Sequence, residues 1–224
     1  NEGYATCTNV SWFWIEELQK LRRWEDASAG AANVQPEAMT LKIAPTGKGQ
    51  YRAFAIDAGD FAAANLIVDV RGAAGGEILD FQYDQADAQH HPITLPTGSG
   101  SAVAMASRLR LRAGDNRHEF YQLLGFQHVT LIARDLTQPI TVKIQLRCAG
   151  YPFTFAGRFA CSDTTLNEIR AACQRTQQLC SLDAYVDTPW REQAQWWGDA
   201  RVQASNTFYM DGDARLLARG IRSI

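Results

Sequence analysis

One stretch of the chain reads Asp187-Thr-Pro-Trp-Arg-Glu-Gln-Ala-Gln-Trp-Trp-Gly-Asp199. It combines three carboxylates, one guanidinium and three of the chain's six tryptophans. Charge that is removed from water is costly unless it is paired, so a purely structural segment has little reason to hold this combination. Carboxylates accept hydrogen bonds from hydroxyls, and indole faces stack on the C–H faces of a pyranose ring. The stretch therefore indicates a site that binds or cleaves a sugar.

Glu192 is the carboxylate best suited to proton transfer. Glycoside hydrolysis needs a carboxylic acid that protonates the leaving oxygen and a second carboxylate on the opposite side of the bond. The acid keeps its proton near neutral pH when apolar neighbours or a like charge raise its pKa. Trp190 and Trp196 flank Glu192, and Asp187 and Asp199 supply like charges on either side. These neighbours predict Glu192 as a general acid.

The other polar residues of the stretch have both a binding and a structural interpretation. Arg191 donates several hydrogen bonds in a fixed fork that suits a vicinal diol, and Asp187 and Asp199 would accept from other hydroxyls. Alternatively, Asp199 is the N-cap of a helix that begins at Ala200, and Asp187 merely ends a turn. Arg191 and Glu192 also fit ordinary solvated helix charges, and the last two tryptophans also fit a core.

Composition and charge exclude several classes of function. The chain has 224 residues, 46% hydrophobic and 21% charged, with a formal net charge of −2. A nucleic-acid or anionic-membrane partner normally requires a basic patch or stripe, so neither is expected. No apolar run approaches the ~20 residues of a membrane span. The sequence has neither an initial Met nor a signal-peptide pattern, so we expect it to begin inside a longer or processed chain.

The cysteines and histidines predict neither a disulfide framework nor a metal site. The five cysteines (Cys7, Cys148, Cys161, Cys173 and Cys180) are odd in number and lack a Cys-x-x-Cys pair. The four histidines have no carboxylate or cysteine at ligand spacing, and the adjacent His90 and His91 lie in a polar stretch. We therefore predict buried free thiols, no metal and no cofactor. Free thiols slightly favour the cytoplasm over secretion, although the compartment stays open.

The chain changes character near residue 160. Before it, short alternating segments separated by turn residues predict an all-β sandwich of jelly-roll-like type. The stretch 84–106 is polar and is interpreted as a loop with at most one short strand. The predicted strands cover residues 39–43, 52–57, 65–70, 77–83, 107–111, 118–123, 128–133 and 141–147.

Helical periodicity begins after residue 160. Ser162 or Asp163 is a suitable N-cap for a first helix. Further helices are predicted over 200–209 and 214–224, and residues 1–36 form a core-packing helix or a linker. The first helix carries an apolar stripe at helical spacing: Leu166, Ile169, Cys173, Leu179 and Cys180.

The stretch that ends at Asp199 resembles the motif of bacterial α-L-rhamnosidases, glycoside hydrolase family 78. The usual form there is Asp-Cys-Pro-(Gln/Trp)-Arg-(Asp)-Glu, followed after a few residues by Trp or Tyr, one residue and Gly-Asp. Thr188 replaces the common Cys, a minor departure because that side chain takes no part in the chemistry. The flanks 157–169 and 206–213 resemble the same family, as do residues 118–129 upstream. The resemblance covers roughly residues 37–224 and is most specific across 157–213.

The resemblance implies an architecture. Members have an (α/α)6 barrel of six helical hairpins behind one or more β-sandwich domains. It therefore implies a linker or N-terminal segment over 1–36, a β-sandwich over 37–156, and the start of an incomplete six-hairpin barrel over 157–224. Calcium occurs in other sandwich domains of some members, and nothing in this sequence supports a calcium site.

The resemblance also implies a reaction and its residues. The family hydrolyses terminal α-L-rhamnose with inversion, so the expected partner is a rhamnose-containing oligosaccharide or glycoside. Glu192 would be the general acid of that reaction. The rhamnose subsite would be lined by Asp187, Arg191, Trp196 and Asp199.

A barrel of six hairpins needs more helices than the three predicted here. The general base of the family is a glutamate far downstream of this segment. We therefore expect the chain by itself to be inactive, to expose apolar helix faces, and to need the remaining C-terminal part of the barrel. Two alternatives remain: a six-hairpin glycosidase for another sugar, and a carbohydrate-binding module whose sandwich binds while its helices are structural. Replacement of Glu192 by glutamine distinguishes an enzyme from a binding module. An enzyme would lose turnover while largely keeping its affinity for the sugar, whereas a binding module would leave both affinity and the turnover of the parent enzyme intact.

Overall fold

The computed structural model describes residues 32–33, 39–86, 92–93, 105–190 and 192–223. The chain divides into two compact units, residues 1–147 and 148–224, which we call the β unit and the helical unit. The predicted boundaries at 36 and 156 stay predictions. Some of the expectations concern residues outside these ranges: the segment 1–31, His90 and His91, most of the loop 84–106, and Arg191.

The elements follow the predicted order of strands and then helices. The strands are β1 (Ala32–Asn33), β2 (Met39–Ile43), β3 (Tyr51–Ala73), β4 (Ile78–Ala86), β5 (Pro92–Ile93), β6 (Ala106–Arg110), β7 (Gly114–Glu119), β8 (Leu124–Arg134) and β9 (Ile140–Cys148). The helices are α1 (Thr164–Leu179), α2 (Trp197–Met210) and α3 (Arg215–Arg222). None of the helices in the described ranges is long and apolar enough to cross a membrane.

The strands form a mostly antiparallel sheet. Its order is β2-β9-β3-β8-β4-β5, with β6 beside β4 and with β1 and β7 beside β3. The described pairs are antiparallel except for β1 with β3. The predicted β-rich region followed by three helices is therefore confirmed at this level. The sandwich itself stays a prediction.

The predicted break between two strands near residue 60 is wrong. Residues 51–73 form one strand, β3, whose pairing with β8 shifts register between Asp57 and Ala62. Gly59 adopts a φ of 83° there, and its amide donates to Asp57 Oδ1 at 2.8 Å. The stretch contains Gly59 and Asp60, which favour turns, but the chain absorbs it as a bulge and the strand continues.

The core of the β unit lies along β3 and β8. Leu66, Val68 and Val70 are at most 1% exposed, which confirms the predicted alternation against Ile67 and Asp69. Strand β8 is buried along nearly its whole length, and it is a central strand with β3 on one edge and β4 on the other.

A buried ion cluster lies on the face of the sheet that β4, β6 and β8 share. The Asp80 side chain is fully buried. Arg108 contacts it through Nε to Oδ1 at 2.5 Å and Nη2 to Oδ2 at 3.0 Å, and Arg134 Nε donates to Oδ2 at 2.7 Å. The hydrogen bonds to Asp80 raise the pKa of the Arg108 guanidinium. The cluster ties three neighbouring strands together.

The first helix begins as predicted but buries less than predicted. Asp163 is its N-cap, and Oδ1 accepts from the amides of Thr165 at 2.9 Å and Leu166 at 3.4 Å. Large apolar side chains of the helices remain exposed: Leu166, Ile169, Val202, Phe208, Tyr209 and Ile221. The expectation of exposed apolar helix faces is therefore confirmed.

The expectation of buried thiols is wrong for most of the described cysteines. Cys148, Cys161 and Cys173 are free and exposed, whereas Cys180 is free and buried. Cys173 lies on the part of the α1 stripe that stays exposed together with Leu166 and Ile169, so its helical position alone does not bury it.

Candidate active site

The loop that carries the predicted site residues is anchored at its start by a buried tyrosine. Tyr185 is 1% exposed and packs against Ala200, Ala204 and Leu216. Its hydroxyl donates to Thr207 Oγ1 at 3.0 Å. Burial, which disfavours the phenolate, raises the pKa of Tyr185. The chain thus enters the loop from a fixed point on helices α2 and α3.

Asp187 closes the loop on itself. Its amide donates to the Ala194 carbonyl at 3.0 Å, and its Oδ1 accepts from the Ala194 amide at 3.0 Å. The same residue thereby bonds both backbone groups of Ala194, seven positions further along. One oxygen of this predicted sugar-binding carboxylate is therefore committed to the backbone, and the residue braces the segment that contains Glu192.

Two further residues shape the interior of the loop. Gln193 has a φ of 51°, which is uncommon for a residue with a side chain, and its Nε2 donates to the Pro189 carbonyl at 2.7 Å. Trp190 is 8% exposed, so it packs inward instead of presenting a face to a ligand. The sequence analysis did not identify Gln193, because glutamine carries no signal for this backbone conformation.

Glu192 and Trp196 are brought together at the surface. The indole Nε1 of Trp196 donates to Glu192 Oε2 at 3.0 Å. Glu192 is exposed and Trp196 is 56% exposed, so the core interpretation of Trp196 is wrong. Trp197 is 39% exposed beside it. Among the described residues, an accessible carboxylate therefore stands next to an accessible aromatic surface.

Asp199 is not the N-cap that one interpretation of the sequence assigned to it. Helix α2 begins at Trp197, its N-cap is Trp196, and no side chain provides a cap hydrogen bond. The Ala200 amide donates to the Trp196 carbonyl at 2.8 Å, which starts the helix three residues earlier than expected. Asp199 lies exposed in the first turn, where a carboxylate interacts favourably with the helix dipole. Its side chain therefore remains accessible to a ligand.

Cys180 contacts the start of the loop, and its thiol is unreactive. Its Sγ donates to the Asp187 carbonyl at 3.8 Å. Burial and then the Asp187 carboxylate raise the pKa of the Cys180 thiol, which keeps it protonated and unsuited to act as a nucleophile. No group of three His, Cys, Asp or Glu side chains in the described part of the chain could hold a metal ion.

A second set of carboxylates fixes the segment that precedes α1. Tyr151 donates to Asp213 Oδ2 at 2.6 Å, and Thr154 bonds Asp211 through both its amide, at 2.7 Å, and its hydroxyl, at 2.6 Å. Hydrogen bonds from Arg215 and then from Tyr151 hold the pKa of Asp213 well below its usual range. These aspartates, in the 206–213 flank, thus have structural roles.

The segment that holds this loop matches a known family model. Residues 154–224, which contain the loop and all three helices, match the family model of the bacterial alpha-L-rhamnosidase 6 hairpin glycosidase domain. This part of the chain is therefore similar to a domain of bacterial α-L-rhamnosidases. None of the curated proteins matches the chain.

Solved α-L-rhamnosidases share the fold of this chain. The family 78 rhamnosidase of Bacillus sp. GL1 is 23% identical, with a TM-score of 0.67 over 89% of the chain. The rhamnosidase from Klebsiella oxytoca with rhamnose bound is 15% identical, with a TM-score of 0.60 over 82% of the chain. The chain spans 20% of the length of the former protein and 43% of the latter. The similarity therefore extends across both units, whereas the family model covers only the helical one.

The brace predicts a stability effect at Asp187. Replacing Asp187 by alanine removes the acceptor for the half-buried Ala194 amide, which should cost about 1–2 kcal/mol, the lower part of the range for a buried donor that loses its acceptor. We expect urea unfolding of the helical unit to show a loss of about that size. Asp187→Asn keeps an oxygen and should cost under about 1 kcal/mol.

The exposed Asp199 provides the control. Its replacement by alanine should change stability by no more than about 1 kcal/mol, the range of a helix-dipole contribution. Equal unfolding curves for the Asp187→Ala and Asp199→Ala variants would refute the role of Asp187 as a brace.

Proposed function

We propose that this chain forms part of an α-L-rhamnosidase that hydrolyses terminal α-L-rhamnosides with inversion, with Glu192 as the general acid. The observation that carries the proposal is the exposed Glu192 carboxylate bonded to the exposed indole of Trp196, inside the segment that matches the rhamnosidase domain. The Klebsiella relative, described with rhamnose bound, supports rhamnose as the sugar.

Each residue has a defined part in the proposed reaction. The Trp196 ring offers its face to the sugar, and the Glu192 carboxyl gives its proton to the glycosidic oxygen as the bond breaks. Arg191 and Asp199 bind ring hydroxyls, while the Asp187 brace holds the loop so that the carboxyl of Glu192 meets that oxygen. In an inverting reaction a second carboxylate activates a water on the opposite face of the sugar. We assign that base to a part of the enzyme outside these residues.

We further propose that α1, α2 and α3 are the first helices of an (α/α)6 barrel. Their exposed apolar side chains support this, because faces of this kind normally pack against further structure. The match of residues 154–224 to a 6 hairpin glycosidase domain also supports it. Under this proposal the chain alone binds sugar weakly and turns over none.

The test is turnover by the longer protein that contains this chain, with Glu192→Gln as the variant. Glutamine keeps the shape of the side chain but has no proton to give. We expect a fall in kcat of about 100-fold or more, the usual contribution of general acid catalysis, with KM nearly unchanged. The fall should be larger for methyl α-L-rhamnoside than for p-nitrophenyl α-L-rhamnoside, because a poor leaving group depends more on protonation.

Glu168→Gln is the matched control. Glu168 is an exposed glutamate on α1, so the same substitution there should leave kcat unchanged. If Glu192→Gln retains full turnover on methyl rhamnoside, the acid assignment is wrong. If the parent protein releases other sugars but no rhamnose, the chain belongs to a different six-hairpin glycosidase. If sugar binding persists without any turnover in the parent, a binding module explains the chain better.

A further inference from the structure

The β unit carries a cleft that has no part in the proposed glycosidase chemistry. Its volume is about 590 Å³, within the range of small-ligand sites, and it lies across four adjacent strands, β2, β9, β3 and β7. Neighbouring strands are about 4.8 Å apart, so the floor of the cleft is about 14 Å wide. This width suits an extended ligand rather than a single small ion.

Charge distinguishes the cleft from the rest of the chain. Three of its lining residues are cationic and two are carboxylates, whereas the whole chain carries a net charge of −2. Arg117 is already neutralised, because its Nη1 lies 2.9 and 3.0 Å from the two carboxylate oxygens of Asp69. The side chains of Arg71 and Lys143 are exposed, and neither makes a hydrogen bond or ion pair with a described residue. Two uncommitted cations therefore face one cleft.

The backbone holds the cationic side of the cleft in place. The pairing of β3 with β7 shifts register between Val70 and Ala73, and such bulges redirect side chains at binding sites. Gly72, inside the bulge, has a φ of 79°, and its carbonyl accepts from Gln138 Nε2 at 2.7 Å. Arg71 thus extends from a bulge that a neighbouring side chain fixes.

The polar residues of the cleft suit hydroxyl groups. Thr40 and Thr141 line it with hydroxyls, and Asp115 adds a carboxylate that accepts hydrogen bonds. No aromatic side chain lines the cleft, so a neutral sugar has no ring on which to stack. Asp115 and Asp69 would also repel a ligand as densely charged as a polyphosphate. The remaining fit is a ligand that combines isolated carboxylates with many hydroxyls.

We propose that this cleft binds an acidic saccharide, with Arg71 and Lys143 pairing with uronate carboxylates and with Thr40, Thr141 and Asp115 bonding hydroxyls. The guanidinium fork of Arg71 matches the two oxygens of a carboxylate, and Lys143, on the neighbouring strand β9, supplies a second positive charge. The proposal does not depend on the glycosidase assignment, because all of its residues belong to the β unit and its readout is binding.

The experiment is calorimetric titration of the full chain at low ionic strength with trigalacturonic acid. The trimethyl ester of the same trisaccharide has the same hydroxyls without the charges, and inorganic tripolyphosphate tests for a simple polyanion site. We expect the acid to bind, the ester to bind at least about tenfold more weakly, and added salt to weaken binding of the acid. Tripolyphosphate should bind more weakly than the acid.

The variants separate the cleft from general surface charge. The double variant Arg71→Gln with Lys143→Gln should bind the acid about tenfold more weakly, or weaker still. Lys48→Gln with Arg110→Gln removes the same charge at exposed positions outside the cleft and should change the affinity by less than about twofold. Any one of four results would overturn the proposal. These are equal losses of affinity in the two double variants, equal affinity for the acid and the ester, tighter binding of tripolyphosphate than of the acid, and no binding of the acid by the wild-type chain. Because the four side chains are exposed, both double variants should retain the melting temperature of the wild type.

Discussion

Asp80→Asn is expected to destabilise the β unit by about 3 kcal/mol, because removing one partner of a buried ion cluster leaves the others uncompensated. Asparagine keeps the volume of the side chain but removes its charge. The carboxylate is fully buried and contacts both Arg108 and Arg134, whose side chains are 33% and 12% exposed. Both guanidiniums would lose a charge-assisted partner in a region with little water. Urea unfolding followed by far-UV circular dichroism measures the loss.

Asp69→Asn is the matched control for the ion cluster. Asp69 also pairs with an arginine across neighbouring strands, but its side chain is 26% exposed and that of Arg117 is 67% exposed. An ion pair in water contributes about 0–1 kcal/mol, so this variant should unfold nearly as the wild type does. If Asp80→Asn cost no more than Asp69→Asn, burial would not be the source of the stability of the Asp80 cluster.

Gly157→Ala is expected to destabilise the helical unit by about 3 kcal/mol, at the upper end of the cost of overpacking. A Cβ at this position would lie 2.0 Å from the Tyr209 carbonyl oxygen and 3.0 Å from the carbonyl carbon and oxygen of Met210. The obstacles are backbone atoms, which no change of rotamer can move. The Gly157 amide also donates to the Met210 carbonyl at 2.9 Å, so the two backbone segments cannot move apart without losing that hydrogen bond.

Gly198→Ala tests whether the effect comes from the close approach or from glycine replacement in general. Gly198 lies in α2, and a Cβ there meets no atom within 4 Å. Alanine is the better helix former, so this variant should gain up to about 1 kcal/mol. Thermal unfolding of the two variants should therefore shift in opposite directions. Parallel shifts would exclude the backbone contact as the cause.

The features that local patterns encode were predictable. The alternation of Leu66, Val68 and Val70 predicted which face of β3 is buried, and Asp163 predicted where α1 begins, because both depend on near neighbours in the chain. The combination of Glu192 with Trp196 was visible as composition, and the structure places the two side chains in hydrogen-bond contact.

Features that depend on distant partners were not predictable. Asp187 was interpreted as a ligand residue or a turn end, and its role as a brace exists only because Ala194 returns to it. Asp199 has a good N-cap side chain, yet α2 begins earlier, at a residue without one. Gly157 carries no sequence signal for the backbone of residue 209 that lies against it.

The sequence by itself determined the similarity of residues 154–224 to a rhamnosidase domain, the order of a β-rich region before helices, and the carboxylate–tryptophan combination that suggests sugar chemistry. These features follow from residue type and from short-range periodicity, which are properties of the sequence and do not depend on folding. Only the tertiary structure decided that Asp80 is buried among arginines, that β3 runs unbroken past residue 60, and that Arg71 and Lys143 line one cleft. Burial, strand register and charge proximity are properties of segments brought together from far apart in the chain, so no local pattern specifies them.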